Sequence, residues 1–395
     1  MILFAPTLHD GGGERVIADL SLQFERLGLA TPVIALLQRR VDYPHAGRIV
    51  DLGLSRRLGR AGMLLQLPLV RWRLARLIRD VRPTAVISLD LIPNLINAWT
   101  APRPVLRVDN PVRAGQSRLG LLAQALTAAR LRRRPNAVLV AVSRALASDA
   151  RACFGLSDGK IRVIHNPLDL ERIDRLRAQP LPDDENGRFA ADGPFFLVPA
   201  RLSDAKGHRH LLRAIAALRT ARGDGGRWLL LGQGPLDAEL RGMAEELDLA
   251  GTVRFGGWTV NPFPFMSRAR AVVLPSVWEG FGMSLVEAMA CGCPVIATDT
   301  AGPREIMDLD ADLPLGPGVT TTAVGLIVPR PASPRALPAG SPPDASELAL
   351  AGAIARVLDD PAAAAERAVR AVARARDFDV PRLRDEWAFV TAPHQ

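Results

Sequence analysis

Two pairs of charged residues have the spacing expected of a site for an anionic ligand that also carries hydroxyl groups. Arg201 and Lys206 follow a buried strand, and Glu279 and Glu287 bracket a glycine loop and a helix start. The free N–H groups and the dipole of a helix N-terminus favour an anion. A guanidinium and an ammonium suit a diphosphate, whereas carboxylates suit sugar hydroxyls. These residue types together predict a nucleotide-sugar site.

The stretch from Pro275 to Asp299 is predicted to position the two carboxylates. It contains a buried strand, AVVLPS, a loop with two glycines, a short helix, SLVEAMAC, and a second strand, VIATD. Ser284 followed three residues later by Glu287 fits a capping box at the helix start. The alternative interpretation is that Glu287 only caps the helix and that Glu279 is only a polar loop residue.

Composition places the chain among globular proteins with an acidic partner. It has 395 residues, 48% of them hydrophobic, and a formal net charge of +9. No run of about 18 uncharged apolar residues predicts a transmembrane helix, and the N-terminus lacks the basic region of a signal peptide. Three cysteines provide neither a disulfide framework nor metal spacing, which favours the cytoplasm. One tyrosine and few other aromatic residues argue against a nucleic-acid stacking surface.

Alternating strand and helix patterns predict two doubly wound α/β domains. The first covers residues 1–177, and a polar Pro/Gly-rich linker covers 178–193. The second domain covers 194–376, interrupted at 312–345 by surface insertions. A final helix within 377–395 is predicted to pack back on the N-terminal domain.

A glycine loop follows the first predicted strand. Gly12 and Gly13 could bring the backbone close to a phosphate, but Val16 occupies the place of the third glycine in the dinucleotide fingerprint. NAD is therefore not expected. The alternative is a simple tight turn.

Basic residues are mixed with leucines in two stretches of the N-terminal half. Residues 56–82 carry arginines, leucines and Trp72, and Arg130 and Arg132 to Arg134 follow the apolar sequence LGLLAQALTAA. Basic amphipathic helices of this kind suit an anionic membrane surface. The alternative is a helix that faces the core while its arginines are solvated.

Metal binding is not predicted. Asp308, Asp310 and Asp312 form a D-x-D-like string, but the string lies in a Pro/Gly-rich region without a neighbouring histidine. The six histidines show no metal-binding spacing either.

The long string EGFGMSLVEAMACGCPVIA, which begins at Glu279, resembles the donor-site signature of the family-4 glycosyltransferases, retaining enzymes of the GT-B fold. RLSDAKG, from Arg201, resembles a second signature of that family, and GGGERV resembles its N-terminal GGAERV loop. The resemblance implies two Rossmann-like domains that face a central cleft, and hexosyltransferase activity.

The resemblance also implies roles for individual residues. Arg201 and Lys206 would compensate the charge of the departing diphosphate, Glu279 would hold the donor sugar, and Glu287 would bind the ribose. Family members often place a histidine where this chain has Asp109, which we take as its substitute. The residues expected to bind the donor are Gly12, Gly13, Gly232, Gly234, Phe255, Phe281, Gly282, Met283, Ser284, Leu285 and Glu287.

The predicted function is transfer of a sugar from a UDP- or GDP-sugar to a glycan or polyprenyl-linked acceptor, as in lipopolysaccharide and other polysaccharide biosynthesis. No metal or other cofactor is expected. The predicted location is the cytoplasm, peripheral on the inner face of the membrane. One alternative is a transferase with a soluble acceptor, of the glycogen, sucrose or trehalose type. The other is a basic nucleic-acid-binding protein, which leaves both charged motifs without a role.

Overall fold

The structure is a computed structural model of the chain, and it divides into two compact units. It describes residues 1–9, 12–55, 59–112, 117–310, 314–335, 338 and 340–391. The first unit comprises Met1–Pro167 and the described part of Val380–Gln395, and the second comprises Leu168–Asp379. Each unit contains a seven-stranded sheet with helices, which confirms the predicted doubly wound α/β class.

The first unit is built on an entirely parallel sheet. Its strands read as short apolar runs because most of their side chains are buried. The strand order is β3-β2-β1-β4-β5-β6-β7. The order of the strands, not their direction, reverses between β1 and β4, and sheets of this kind bind ligands at such a point. In chain order the elements are β1 (Ile2–Ala5), α1 (Gly12–Arg26), β2 (Val33–Leu36), β3 (Arg48–Asp51), α2 (Gly59–Val81), β4 (Val86–Leu89), α3 (Leu91–Thr100), β5 (Pro104–Val108), α4 (Arg118–Arg132), β6 (Val138–Ala141), α5 (Arg144–Phe154) and β7 (Ile161–Val163).

The second unit repeats this architecture. Its strand order is β10-β9-β8-β11-β12-β14-β13, with β13 antiparallel and the reversal between β8 and β11. The elements are α6 (Leu170–Arg177), α7 (Glu185–Ala191), β8 (Phe196–Pro199), α8 (His208–Arg222), β9 (Trp228–Leu231), α9 (Asp237–Glu246), β10 (Val253–Gly257), α10 (Phe263–Met266), β11 (Ala271–Leu274), α11 (Met283–Ala290), β12 (Val295–Thr298), α12 (Ala301–Ile306), β13 (Thr320–Thr321), β14 (Leu326–Val328), α13 (Ala345–Asp359) and α14 (Pro361–Ala375).

The division between the units differs from the boundaries drawn at residues 177 and 193. Helix α6 belongs to the second unit, where the Asn261 side chain donates to the carbonyl of Leu176 at 3.2 Å. The predicted linker contains α7, whose Asn186 side chain donates to the carbonyl of Gly256 at 2.8 Å. Polar composition suggests a linker here, but the Asn186 side-chain amide binds this segment to the edge strand β10.

The last helix, α15 (Val380–Thr391), packs within the first unit. The Trp387 ring lies edge to face with Phe24 of α1, with centroids 5.5 Å apart. The buried guanidinium of Arg107 lies 5.9 Å from the Trp387 ring.

Among the described helices, none has the length and apolar character needed to cross a membrane.

The Pro/Gly-rich region before α13 is attached to α8 by two buried side chains. Arg213 donates to the carbonyls of Pro338, Ser341 and Pro342, and His210 Nε2 lies 2.8 Å from the carbonyl oxygen of Ser333. Both side chains also bond to the buried carboxylate of Glu347, which forms a capping box with Asp344. This region therefore has fixed partners, although its composition suggests a surface insertion.

Candidate functional site

The loops that follow β8 and β11 are joined at the point where the second sheet reverses. The amide of Val277 donates to the carbonyl of Ala205 at 2.8 Å. Gly207 has φ 65°, and a Cβ there would lie 2.0 Å from the carbonyl oxygen of Pro275. The backbone approach therefore requires glycine at this position. This contact places the Arg201–Lys206 segment beside the loop that carries Glu279.

Lys206 and Glu279 form an ion pair at this junction. The hydroxyl of Ser276 donates to the same carboxylate oxygen at 3.2 Å, and Ser276 is fully buried. Both partners of the ion pair are partly exposed, with 25% of the lysine and 12% of the glutamate side chain accessible. The cation of one motif and the carboxylate of the other therefore belong to a single polar site.

Gly232 and Gly234 support the Arg201 loop from the neighbouring strand. A Cβ on Gly232 would lie 2.0 Å from the carbonyl oxygen of Ala200, and one on Gly234 would lie 2.2 Å from that of Leu202. The amide of Leu202 donates to the carbonyl of Gln233 at 3.0 Å. Close packing of two loops is thus one requirement for glycine here, independent of any ligand.

The start of α11 differs from the predicted capping box. Gly282 is the N-cap, with φ 101°, and α11 begins at Met283. Ser284 therefore lies inside the first turn, and its hydroxyl donates to the carbonyl of Pro199 at 2.9 Å instead of capping the helix. The glycine forms the sharp entry, so the prediction of a Ser284–Glu287 capping box is wrong.

Three of the predicted donor-binding residues at α11 have buried side chains. Phe281 and Leu285 are buried, and the Phe281 ring packs edge to face on Phe378 with centroids 5.4 Å apart. These two residues can offer a ligand their backbone, not their side chains. Glu287 lies on the same helix and is 2% exposed.

Phe255 on β10 is half-buried. Its ring lies 4.7 Å from the guanidinium carbon of Arg241. The Phe255 ring therefore has a cation–π partner within the protein, independent of any contact with the nucleotide base of a donor.

His208 lies at the start of α8, next to the Lys206–Gly207 turn. Its side chain is 1% exposed, and neither ring nitrogen has a hydrogen-bond partner within the described part of the chain. Burial, reinforced by the charge of Lys206, lowers the pKa of His208 to about 3. The imidazole is therefore neutral and packs as part of the interior.

Asp109 and Gly13 meet at the sheet reversal of the first unit. A Cβ on Gly13 would lie 2.9 Å from Leu89 and 3.5 Å from Asp109 Oδ2, whereas one on Gly12 would contact nothing. Burial raises the pKa of Asp109, against the opposing charge of Arg107. Oδ2 of Asp109 has no hydrogen-bond partner among the described residues. The glycine loop and this carboxylate thus form a second polar site, within the first unit.

Three residues of this second site were given no site role by the sequence. Arg107 donates to Asp109 Oδ1 at 2.7 Å and also to the side-chain oxygen of Asn166. Asp90, at the end of β4, has φ 76° and adds a repulsive charge that further raises the pKa of Asp109. The sequence contains one signal for these contacts, an arginine inside the apolar strand PVLRV. A buried charge needs polar partners, so Arg107 could have been expected to have them.

Two sets of residues contain the carboxylates that a metal site would need. Asp308 lies 3.9 Å from Arg374, the carbonyl of Asp310 accepts from Arg304, and Asp312 is outside the described residues. Within the described residues, His210, Asp344 and Glu347 have ligand-type atoms close together. The Arg213 guanidinium already bonds to both oxygens of Glu347 and supplies the positive charge there.

Two family models match the chain. The family described as "Glycosyltransferase Family 4" matches residues 10–172, and the family described as "Glycosyl transferases group 1" matches residues 182–313. These ranges include both signatures and all the predicted site residues.

Named relatives are similar to parts of the chain or to most of it. An N-acetylgalactosamine-N,N'-diacetylbacillosaminyl-diphospho-undecaprenol 4-alpha-N-acetylgalactosaminyltransferase of Campylobacter jejuni is 33% identical over 158 residues, 40% of either chain. The match thus covers about two-fifths of that relative's length. The lipopolysaccharide core biosynthesis glycosyltransferase LpsD of Rhizobium meliloti is 26% identical over 310 residues, 77% of this chain and 79% of that protein.

Solved structures share the whole fold. HepE of Anabaena in complex with UDP-glucose superposes with a TM-score of 0.73 over 98% of both chains, at 18% identity. WaaG, a glycosyltransferase involved in lipopolysaccharide biosynthesis, superposes with a TM-score of 0.72 over 100% of both chains, at 15% identity. At these identities the likeness establishes the fold.

Proposed function

This chain belongs to the family-4 glycosyltransferases of the GT-B fold, and on that premise we propose that it transfers a sugar from a UDP- or GDP-sugar, with retention of configuration, to a glycan or polyprenyl-linked acceptor. The observation that carries the proposal is the Lys206–Glu279 ion pair, which unites the two charged motifs at the sheet reversal. The product would belong to a cell-surface polysaccharide or lipopolysaccharide. The similarity to LpsD over most of both chains supports this acceptor class.

The second unit supplies electrostatic stabilisation in the proposed reaction. When the bond to the sugar breaks, negative charge develops on the leaving diphosphate, and preorganised cations and N–H groups stabilise it. Arg201 and Lys206 are the cations, and the N–H groups at the entry of α11, from Phe281 to Met283, are the donors. Glu279 would accept hydrogen bonds from the sugar, and Glu287 from the ribose.

The first unit would contribute Asp109 and the Gly12–Gly13 loop. Oδ2 of Asp109 is buried beside Gly13 without a partner among the described residues, and in the proposed reaction it would accept a hydrogen bond from a substrate hydroxyl group. Same-face attack, with the leaving phosphate accepting the acceptor's proton, requires positioning rather than a covalent carboxylate. Because protein cations supply the positive charge, we expect transfer to continue in the presence of EDTA.

The proposed location is the cytoplasm, at the inner face of the membrane, where a polyprenyl-linked acceptor is accessible. The proposed partners are the nucleotide-sugar, the acceptor and an anionic membrane surface, without nucleic acid.

Thermal stabilisation by UDP-, GDP-, ADP- and dTDP-sugars tests the donor site. Binding to the folded state alone raises the melting temperature. We expect one nucleotide class to stabilise the wild type and to have no effect on Glu287→Ala or Arg201→Ala. Glu246→Ala removes an exposed glutamate of α9 and should respond as the wild type does. No stabilisation by any donor, together with tight nucleic-acid binding, would overturn the proposal.

A further inference from the structure

Large exposed apolar side chains are concentrated on two helices of the first unit. Fifteen such side chains occur among the described residues, and eight of them lie on α2 and α4. A ninth, Trp99, lies on α3, which packs against both helices. We call these nine residues the apolar surface: Leu64, Leu65, Leu69, Trp72, Trp99, Leu119, Leu121, Leu122 and Leu126.

The apolar surface is additional to the core contacts of these helices. Val70, Leu74 and Leu77 of α2 are buried in the core of the unit. Leu65, Leu69 and Trp72 follow one another at helical spacing on another face, and Leu65 is 82% exposed. One face of α2 is therefore packed against the core, and another is left open. An open patch of this kind marks an interaction site.

Arginines accompany the apolar surface without carboxylates to neutralise them. The guanidinium of Arg130 lies 5.2 Å from the Trp99 ring. Burial lowers the pKa of Arg134, and the nearby charges of Arg130 and Arg71 lower it further, so both of these guanidiniums are close enough to repel that of Arg134. In the described part of the chain none of the three forms an ion pair with a carboxylate.

The sequence of the two helices keeps this charge positive. Helix α4 contains no acidic residue, and α2 contains only Asp80. An anion near the three guanidiniums would relieve their repulsion. The ligand that fits the whole surface must therefore be apolar in its interior and negatively charged at its boundary.

We propose that the apolar surface docks on an anionic lipid bilayer, with the leucines and tryptophans in the interfacial region and Arg71, Arg130 and Arg134 on lipid phosphates. Amphipathic helices rich in arginine and leucine bind bilayers in this way, and tryptophan favours the headgroup level. Each basic residue near such a surface strengthens binding about fivefold. This inference names the membrane-facing side of the protein and deepens the proposed function, on whose lipid-linked acceptor it rests.

A second copy of the chain fits the surface less well. A symmetric dimer would bring the same patch of both subunits together. The arginine clusters would then face each other in a region that contains few carboxylates, which is unfavourable. A bilayer provides an apolar layer for the leucines and tryptophans and, at its boundary, anionic headgroups for the arginines.

Vesicle co-sedimentation of the purified full-length chain tests the proposal. We expect binding to equimolar phosphatidylglycerol and phosphatidylcholine, and weak binding to phosphatidylcholine alone. Leu65→Glu and Leu122→Glu should each reduce binding about tenfold or more, because a charge replaces an inserted apolar group. Leu348→Glu replaces a leucine on α13 of the other unit that is about as exposed as Leu122, and it should leave binding unchanged.

The role of the arginines is tested by comparing a replacement that removes the charge with one that keeps it. Arg71→Gln should weaken binding to anionic vesicles about fivefold, whereas Arg71→Lys should retain it. Unchanged binding in both leucine variants, or equal binding to neutral vesicles, would overturn the proposal. Concentration-dependent dimerisation abolished by the leucine variants would overturn it in favour of a second copy.

The same variants separate this proposal from the transferase proposal. The leucines are exposed, so their replacement should leave the melting temperature and its increase with nucleotide-sugar unchanged. Trp72→Ala provides a second variant that introduces no charge, and it should also weaken vesicle binding. Vesicle binding without nucleotide-sugar binding would contradict the transferase proposal alone, and the reverse result would contradict the docking surface alone.

Discussion

The ammonium of Lys206 is paired with the carboxylate of Glu279, across 73 positions of sequence. Each residue belongs to a different charged motif, and the loops that carry them are joined by the Val277–Ala205 hydrogen bond. A diphosphate that binds Lys206 must therefore compete with a carboxylate already in contact with it. The free protein keeps its cation neutralised until a ligand arrives.

Replacing Glu279 should have opposite effects on nucleotide binding and on transfer. In Glu279→Gln, Lys206 loses its anionic partner, so we expect UDP or GDP alone to bind about twofold to fivefold more tightly. The turnover number should fall about 100-fold, because the proposed contact with the donor sugar would be lost. Calorimetry with the nucleoside diphosphate and initial rates would measure the two effects.

The double variant Lys206→Met with Glu279→Gln serves as the control for that pair. It should show no gain in nucleotide affinity over Lys206→Met alone, since the cation is absent in both. Weaker nucleotide binding by Glu279→Gln would contradict competition and would mean that the glutamate holds the lysine in its binding position.

Gly207→Ala should disconnect the two loops. The added methyl group would lie 2.0 Å from the carbonyl oxygen of Pro275, so the chain must shift and separate Lys206 from Glu279. Gly223→Ala is the matched control, with φ 77° against 65° but no atom within 4 Å of the added Cβ. Backbone strain should cost each variant about 1–2 kcal/mol of stability, and Gly207→Ala should lose more than Gly223→Ala because of the clash.

Donor binding distinguishes these two glycine variants. Gly207→Ala should lose stabilisation by nucleotide-sugar, whereas Gly223→Ala should keep it. Equal stabilisation of both variants by the donor would contradict the importance of the loop junction.

Asp109→Asn should remove a step from the pH dependence of transfer. Burial raises the pKa of this carboxyl group, so its ionised form, which the proposed contact needs, becomes populated at a higher pH than for a free aspartate. We expect kcat/KM of the wild type to rise with pH through that raised pKa. The asparagine variant should have a lower rate, about 10-fold to 100-fold, without this acidic limb.

Asp192→Asn is the control for Asp109. It alters an exposed aspartate of the second unit and should reproduce the wild-type profile. An unchanged acidic limb in Asp109→Asn would assign that titration to another group and would remove Asp109 from the reacting site.

Local patterns in the sequence were sufficient for the sheets and for the charged motifs. Most of the strands are short apolar runs, and the motifs lie at the carboxyl ends of strands, so the change in strand order within each sheet brings them together. Tertiary contacts decided what the patterns left open. Ser284 bonds to Pro199 rather than capping α11, because Gly282 already forms the entry of the helix.

Pairings across long stretches of chain could not be predicted. Arg107 reaches Asn166, 59 positions away, and nothing in either local sequence specifies that contact. The exposure of Leu122 is a similar case, because a leucine-rich helix is normally predicted to be buried. Composition likewise suggests a linker where α7 is held by the Asn186–Gly256 hydrogen bond.

Two histidines on α8 should respond in opposite ways to replacement by leucine. The buried ring of His208 has no hydrogen-bond partner among the described residues, so His208→Leu should raise the free energy of unfolding by about 1–3 kcal/mol at neutral pH. His210 bonds to Glu347 and to the carbonyl of Ser333. His210→Leu should therefore lower it by about 1–3 kcal/mol, because it leaves those groups unpaired.

The pH dependence of stability gives the His208 prediction its sign. The folded pKa of about 3 lies below the ordinary value of 6.5, so the unfolded chain binds the proton more readily. The wild type should therefore lose stability as the pH falls from about 6.5 towards 3. His208→Leu has no proton to bind at this position, and its stability should fall less over the same range. Urea unfolding at a series of pH values measures both curves, and parallel curves would mean that His208 has the same affinity for protons in the folded and unfolded chain.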